Sequence, residues 1–238
     1  MLWKIAALLA LSAVVSLALS GPGTRWGWWD FRLGLRLFAF AALLGLVAAL
    51  LGALAGHRAP RGSAAARASS MAVLVGVTAL LLPAWAIVGA RRVPAIHDIT
   101  TDLDEPPRFR AALAARGGRA NPVPEAIDPA VAAQHRAAYS DLQPLVVPDP
   151  PEQAFGRALD VARGMGWQIV AVDEREGIIE ATATTPWFGF RDDVAIRVRP
   201  DRGGSRIDLR STSRVGRSDA GANAARIRRF LLVMQRPA

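Results

Sequence analysis

The chain has 238 residues, with 29 Lys and Arg against 20 Asp and Glu, and no cysteine, which excludes a disulfide framework, thiol catalysis and Cys-ligated zinc. Residues 1–95 carry nine basic side chains and one acid, Asp30, a net of +8, whereas residues 96–238 carry 20 basic and 19 acidic groups, a net of +1. The basicity therefore belongs to an apolar segment and its flanks, and a nucleic-acid partner is not expected.

Three apolar runs, at residues 2–19, 37–55 and 71–90, are each long enough to cross ~30 Å of hydrocarbon at ~1.5 Å per residue. Together they predict a three-span membrane region over residues 1–92, with the lipid bilayer as first partner. The first run also has the look of a secretory signal, since Ala18-Leu19-Ser20 precedes Gly21, but its positive leader is reduced to Lys4 and an uncleaved span is the preferred reading. The loop at residues 57–70 carries Arg58, Arg61 and Arg67 with no acid, which favours a cytoplasmic position. The third span then runs outward, giving a multi-pass protein of the inner (cytoplasmic) membrane with a periplasmic or equivalent extracytoplasmic C-terminal part. Arg25, Arg32 and Arg36, with Arg91 and Arg92, argue the other way. Trp26, Trp28, Trp29 and Phe31 between these cations form the aromatic belt expected at headgroup level. Gly52 and Gly56 form a GxxxG suited to close packing against a neighbouring span or a membrane-protein partner. With no Asp, Glu, Lys or His deep in the spans, the region is expected to be an anchor rather than an ion path.

Residues 93–148 form a Pro-rich connecting segment in which short helices are expected at residues 107–116 and 129–138. His97, Asp98 and Asp102, with Thr100 and Thr101 between them, could hold a divalent metal or orient a general base. The simpler alternative is that Asp and Thr side chains cap turns here, and no metal or other cofactor is expected.

Residues 149–238 carry regular patterns. Phe155, Leu159 and Ala162 fall at helical spacing before Gly164 and Gly166; strands are expected at 167–172, 177–184, 192–199 and 205–215, and a closing helix at 220–235 with Ala224, Ile227, Leu231 and Met234 buried. Ile207, Leu209, Ser211 and Ser213 alternate with Arg206, Asp208, Arg210 and Thr212, and Asp201-Arg202-Gly203-Gly204 is a hairpin turn. The fold class is thus a three-span helical transmembrane anchor plus a two-layer α+β domain: helix, four antiparallel strands, helix, with both helices on one sheet face. The other face, with Glu180, Thr182, Arg197, Arg199, Asp208, Arg210 and Arg214, is expected to be solvated.

Arg210, Ser213, Arg214, Ser218, Asp219, Asn223 and Arg226 crowd the junction between the last strand and the last helix, near Asp193. Guanidinium groups beside free helix amides could bind an anion. An internal helix cap locked by an Arg pairing with Asp193 or Asp219 is an equally good reading.

Three ordered motifs, His97-Asp98-Ile99-Thr100-Thr101-Asp102 with Pro106-Pro107-Arg108-Phe109, then Phe190-Arg191-Asp192-Asp193, then Arg210-Ser211-Thr212-Ser213-Arg214-Val215-Gly216 through Ser218, Asp219, Gly221, Asn223 and Arg226-Ile227, resemble domain-of-unknown-function family 1499 over residues 93–236. The resemblance implies no reaction; it implies that these Asp, Arg, Ser and Asn positions matter and that the motifs converge in space. Family members often carry an exported or lipoprotein-type N-terminus, in keeping with an outward-facing domain. The leading expectation is a non-enzymatic, membrane-anchored module of the cell envelope that binds an anionic small molecule or a partner protein. The alternatives are a hydrolase or metal-assisted enzyme using His97, Asp98 and Asp102, and a structural subunit of a membrane complex.

Overall fold

The computed structural model describes residues 1–118 and 120–236. The chain divides into two compact units, Met1–Gly89 with Pro186–Gly189, and Ala90–Thr185 with Phe190–Ala238.

The first unit consists of helices α1 (Leu2–Arg25), α2 (Phe31–Arg58) and α3 (Ala64–Arg91), each long and apolar enough to cross a membrane. Their burial pattern reverses that of a water-soluble bundle. Ala6, Ala10, Ala48, Ala72 and Ala79 are buried, while Leu8, Leu11, Leu50, Leu74, Leu81 and Trp85 are exposed. Small residues inside and large apolar residues outside are what lipid as solvent demands, because helices then associate by close backbone contact rather than by removing leucine from water. Gly45 and Gly76 face each other so closely that a Cβ on Gly45 would lie 2.5 Å from the Gly76 carbonyl oxygen. Gly52 lies against Ser69 and Val73. The GxxxG pair thus sits at an α2–α3 crossing within the chain. At the α1–α2 turn the Asp30 side chain accepts a hydrogen bond from the Arg32 amide at 2.8 Å and caps α2.

The second unit contains an antiparallel sheet in the order β1-β6-β5-β4-β3, with β2 also pairing with β6. Its strands are β1 (Asp98–Thr100), β2 (Leu145–Val147), β3 (Gln168–Asp173), β4 (Ile178–Thr184), β5 (Arg191–Asp201) and β6 (Gly204–Ser213). The four longer strands lie where alternation puts them. β1 and β2 raise the sheet to six strands, and at three residues each they are too short to show a period. Arg202 and Gly203 both have positive φ, 43° and 87°, so β5 and β6 are joined by a type I′ turn whose twist matches the strands.

Helices α6 (Pro151–Gly164) and α7 (Ala222–Met234) cover one sheet face. Phe155, Ala158, Trp167, Ile179, Val194, Ile196, Ile207, Leu209, Ile227 and Phe230 form the apolar core there, with the Trp167 and Phe230 rings stacked at 5.6 Å. Between the sheet strands and the anchor lie α4 (Ala111–Ala114) and α5 (Pro129–Ala138), the latter begun by Asp128, whose side chain accepts from the amides of Ala130 and Val131.

The second sheet face corrects the solvated surface expected from the sequence. Asp208, Arg210, Thr212, Asp193, Glu180 and Thr182 are all buried. The connecting segment folds over them. Phe109, Ala112 and Val123 pack on Ala195 of β5, and the Glu180 carboxylate accepts hydrogen bonds from the amides of Arg110, Ala111 and Ala112 at 2.8–3.0 Å. A polar face inside a domain is tolerated only when its groups are paired, and the pairing is nearly complete.

Candidate functional site

The three motifs meet because β1, β6 and β5 are neighbours. Asp98 pairs in register with Thr212, and Thr212 with Asp193; Ser213 pairs with Asp192. Strand alternation then divides the side chains between the two sheet faces.

On the covered face, Arg210 clasps Asp98 in a bidentate pair, Nε to Oδ1 at 3.0 Å and Nη2 to Oδ2 at 2.6 Å. Its Nη2 also donates to the Pro124 carbonyl, and its guanidinium lies 5.7 Å from the centre of the Phe109 ring. Arg210 is 1% exposed. Beside it, Asp193 receives two guanidinium groups: Arg116 Nη1 at 2.6 Å and Arg214 Nη2 at 2.7 Å, with the Thr182 hydroxyl donating at 2.9 Å. Arg116 continues to the carbonyls of Asn121 and Ser213, and Arg214 to that of Ala115. Further along the same face, the Asp208 carboxylate accepts from Arg197, Arg199 and Arg206, and Asp102 shares the same three cations. The other Asp102 oxygen accepts from the amides of Asp104 and Glu105 and closes a turn.

On the helix-covered face, Asn223 of α7 is the hub. Its amide nitrogen donates to the Ser213 hydroxyl and the His97 carbonyl, each at 3.0 Å, and its oxygen accepts from Ser211 and from Arg226. Arg226 reaches on to Asp192 at 2.6 Å. The amides at the start of α7 are occupied by the chain itself. Asp219 accepts from Gly221 and Asn223 at 2.8 and 2.9 Å, and Ser218 from Ala220 at 3.2 Å. The cap proper is Gly221, with φ 83°, rather than Ser218 or Asp219. Burial raises the pKa of Asp219 above the usual carboxylate value, opposed by those amide bonds.

The sequence-derived residues therefore gather at one end of the sheet but on two faces: Asp193, Arg210 and Arg214 on one, Ser213, Asn223 and Arg226 on the other, and Ser218 and Asp219 at the helix start. His97, Asp98 and Asp102 are drawn apart, since Asp98 belongs to Arg210 and Asp102 to Arg206 and its neighbours. Among the described residues, no three His, Asp or Glu side chains are grouped to share a metal ion. The sequence reading missed Arg116, Asn121 and Glu180, whose partners are 68 to 97 residues away and which no local spacing marks.

A cavity of about 310 Å³ opens beside this junction. It is lined by Ile96, Pro122, Pro124, Ile127 and Val131 as apolar wall, with His97, Asp98 and Arg217 as polar rim. Arg217 is exposed and takes part in no ion pair among the described residues, unlike Arg210, Arg214 and Arg226. His97 Nδ1 is buried without a hydrogen-bond partner.

A family model described as Protein of unknown function (DUF1499) matches residues 98–234, which takes in all three motifs and more than half of the chain. The chain belongs to the DUF1499 family. No curated protein matches it. The DUF1499 region coincides with the sheet unit from β1 to the end of α7, so the membrane helices lie outside the matched region.

Within the DUF1499 region, His135 of α5 is 2% exposed, and its Nε2 accepts a hydrogen bond from the Thr100 amide at 3.3 Å, which ties α5 to β1. Burial lowers its pKa, with Asp98 pulling the other way. A histidine whose pKa is lower folded than unfolded binds protons preferentially in the unfolded chain. Its contribution is thus complete above the unfolded value of about 6.5 and is lost as pH falls from there through the folded value. Thermal unfolding of the full-length protein in detergent is expected to show declining stability below about pH 6.5, and His135→Gln to flatten that decline. An unchanged slope in the variant would assign it to other groups.

Proposed function

We propose that this is a membrane-anchored protein of the cell envelope whose DUF1499 domain acts by binding, taking a small anionic ligand with an apolar body in the cavity beside the motif junction. The observation that supports this most is the contrast among the junction's arginines. Arg210, Arg214 and Arg226 are each committed to a buried carboxylate, whereas Arg217 stands at the cavity rim with its charge unspent. A guanidinium with free donors beside an apolar wall suits a carboxylate or phosphate on a hydrophobic carrier. His97 adds a polar group to the same rim. In this reading the residues of the motifs, Asp193, Arg210, Ser213, Arg214, Asp219, Asn223 and Arg226, hold the cavity's frame, and Ser218 and Arg217 lie on its accessible side.

The domain is proposed to face the periplasm or its equivalent. The acid-free loop with Arg58, Arg61 and Arg67 favours the cytoplasmic side, and the third span then delivers the DUF1499 region outward.

The test uses benzoate as anionic probe and benzyl alcohol as its neutral counterpart, with thermal unfolding of the full-length protein in a neutral detergent as readout. Benzoate is expected to stabilise saturably and benzyl alcohol not. Arg217→Ala is expected to weaken benzoate by about tenfold, the loss of one charge-assisted contact, without changing the unliganded melting temperature. Equal responses to the two probes, or an Arg217→Ala protein that responds like the wild type, would reject the site.

A further inference from the structure

The α1–α2 turn carries cations and aromatic rings that the helical unit itself does not use. Arg32 and Arg36 are exposed, one turn apart on α2, and neither forms an ion pair among the described residues. The nearby acid, Asp30, is spent on capping α2 through the Arg32 amide. Trp26 and Trp28 are 61% and 60% exposed, with ring centroids 4.9 Å apart, and Trp28 meets Trp29 edge-on at 6.0 Å. The plate is fixed in place, because Trp29 lies so tightly on Gly23 that a Cβ there would come within 2.1 Å of its ring. Trp187 joins it, donating from Nε1 to the Ser20 hydroxyl at 3.4 Å.

We propose that this turn is a binding site for the headgroup of an anionic phospholipid. Exposed indoles at the end of a membrane-spanning helix settle at headgroup depth, with their rings among the upper acyl chains and their N–H groups toward phosphate and ester oxygens. Rings alone accept any headgroup. The two unspent guanidiniums supply the discrimination, since a phosphodiester without a compensating cation of its own leaves a net charge for them to take bidentately. A zwitterionic headgroup brings its own cation and gains less. A basic side chain close to an anionic surface is worth about fivefold in binding, so the pair should favour an anionic lipid by about tenfold or more. The inference is independent of the cavity in the DUF1499 region, and of which membrane side the turn occupies.

The full-length protein, purified in a neutral detergent, is mixed with equal amounts of phosphatidylglycerol and phosphatidylcholine, and retained lipid is read by native mass spectrometry alongside thermal unfolding. Preferential retention of phosphatidylglycerol with a raised melting temperature is expected, and the Arg32→Gln/Arg36→Gln protein should lose that preference while keeping its response to phosphatidylcholine. Should the double variant fold poorly, the wild type decides, because its preference must fall several-fold between about 50 and about 500 mM salt. Equal retention of both lipids, a preference that survives in the double variant or in high salt, or an equal gain from inorganic phosphate alone would overturn the assignment.

Discussion

Asp193→Ala is expected to be the most damaging single substitution in the DUF1499 region. The carboxylate is fully buried and neutralises two guanidiniums at once, Arg116 with 5% and Arg214 with 12% of its side chain exposed. Truncation leaves both cations in the interior facing each other. Breaking one buried pair costs about 3–5 kcal/mol, and here two cations lose the same partner. The melting temperature should fall by about 10 °C or more. Asp193→Asn keeps the shape and some hydrogen bonds but not the charge, and should fall between wild type and Asp193→Ala. Circular dichroism and thermal unfolding in detergent provide the measurement. A variant within a degree or two of wild type would mean that the covering segment is not held by this carboxylate.

The second large effect is expected at Asp98 and Arg210, and its signature is non-additivity. Asp98→Ala strands a guanidinium that is 1% exposed, and Arg210→Ala strands a carboxylate that is 7% exposed. Each should cost about 3–5 kcal/mol. Replacing both with apolar side chains, as in Asp98→Val/Arg210→Met, removes the charges together with the need to desolvate them, and should cost much less than the two single losses combined. Arg210→Lys should behave like a loss, because an ammonium cannot reproduce the parallel Nε and Nη2 contacts with Asp98 while also reaching the Pro124 carbonyl. Strictly additive single and double variants would show that the two side chains are energetically independent despite their contact.

These expectations follow from an interior that alternation alone could not reveal. The pattern of β6 places Arg206, Asp208, Arg210 and Thr212 on one face, and that much was legible. Alternating polar residues usually mean water beyond them. Here they mean a second layer, built from a Pro-rich segment whose contacts follow no period: Glu180 caps amides in α4, Arg116 crosses to Asp193, and Pro124 offers a carbonyl to Arg210. Such pairings span tens of residues, and nothing in a local window announces them. The motif residues were legible as a group because several Asp, Arg, Ser and Asn stand close together in sequence. Their division between two sheet faces follows from register, and register was hidden because β1 is only three residues long. Arg217 shows the same limit from the other side. In sequence it is one more arginine among several near the strand end, and only the pairing of its neighbours singles it out.

The membrane region was legible for a different reason. Span length and apolarity are set by the thickness of the bilayer, and the burial of alanine and glycine beneath exposed leucine follows from the solvent. Gly45, Gly52 and Gly76 mark the α2–α3 crossing because no side chain with a Cβ fits where two backbones come so close.

The central claim is that these three helices hold the DUF1499 region at a lipid bilayer. Alkaline carbonate extraction of membranes containing the full-length protein tests it most directly. The chain is predicted to stay entirely with the lipid pellet and to be released only by detergent. Recovery of intact full-length protein in the carbonate supernatant would contradict the account.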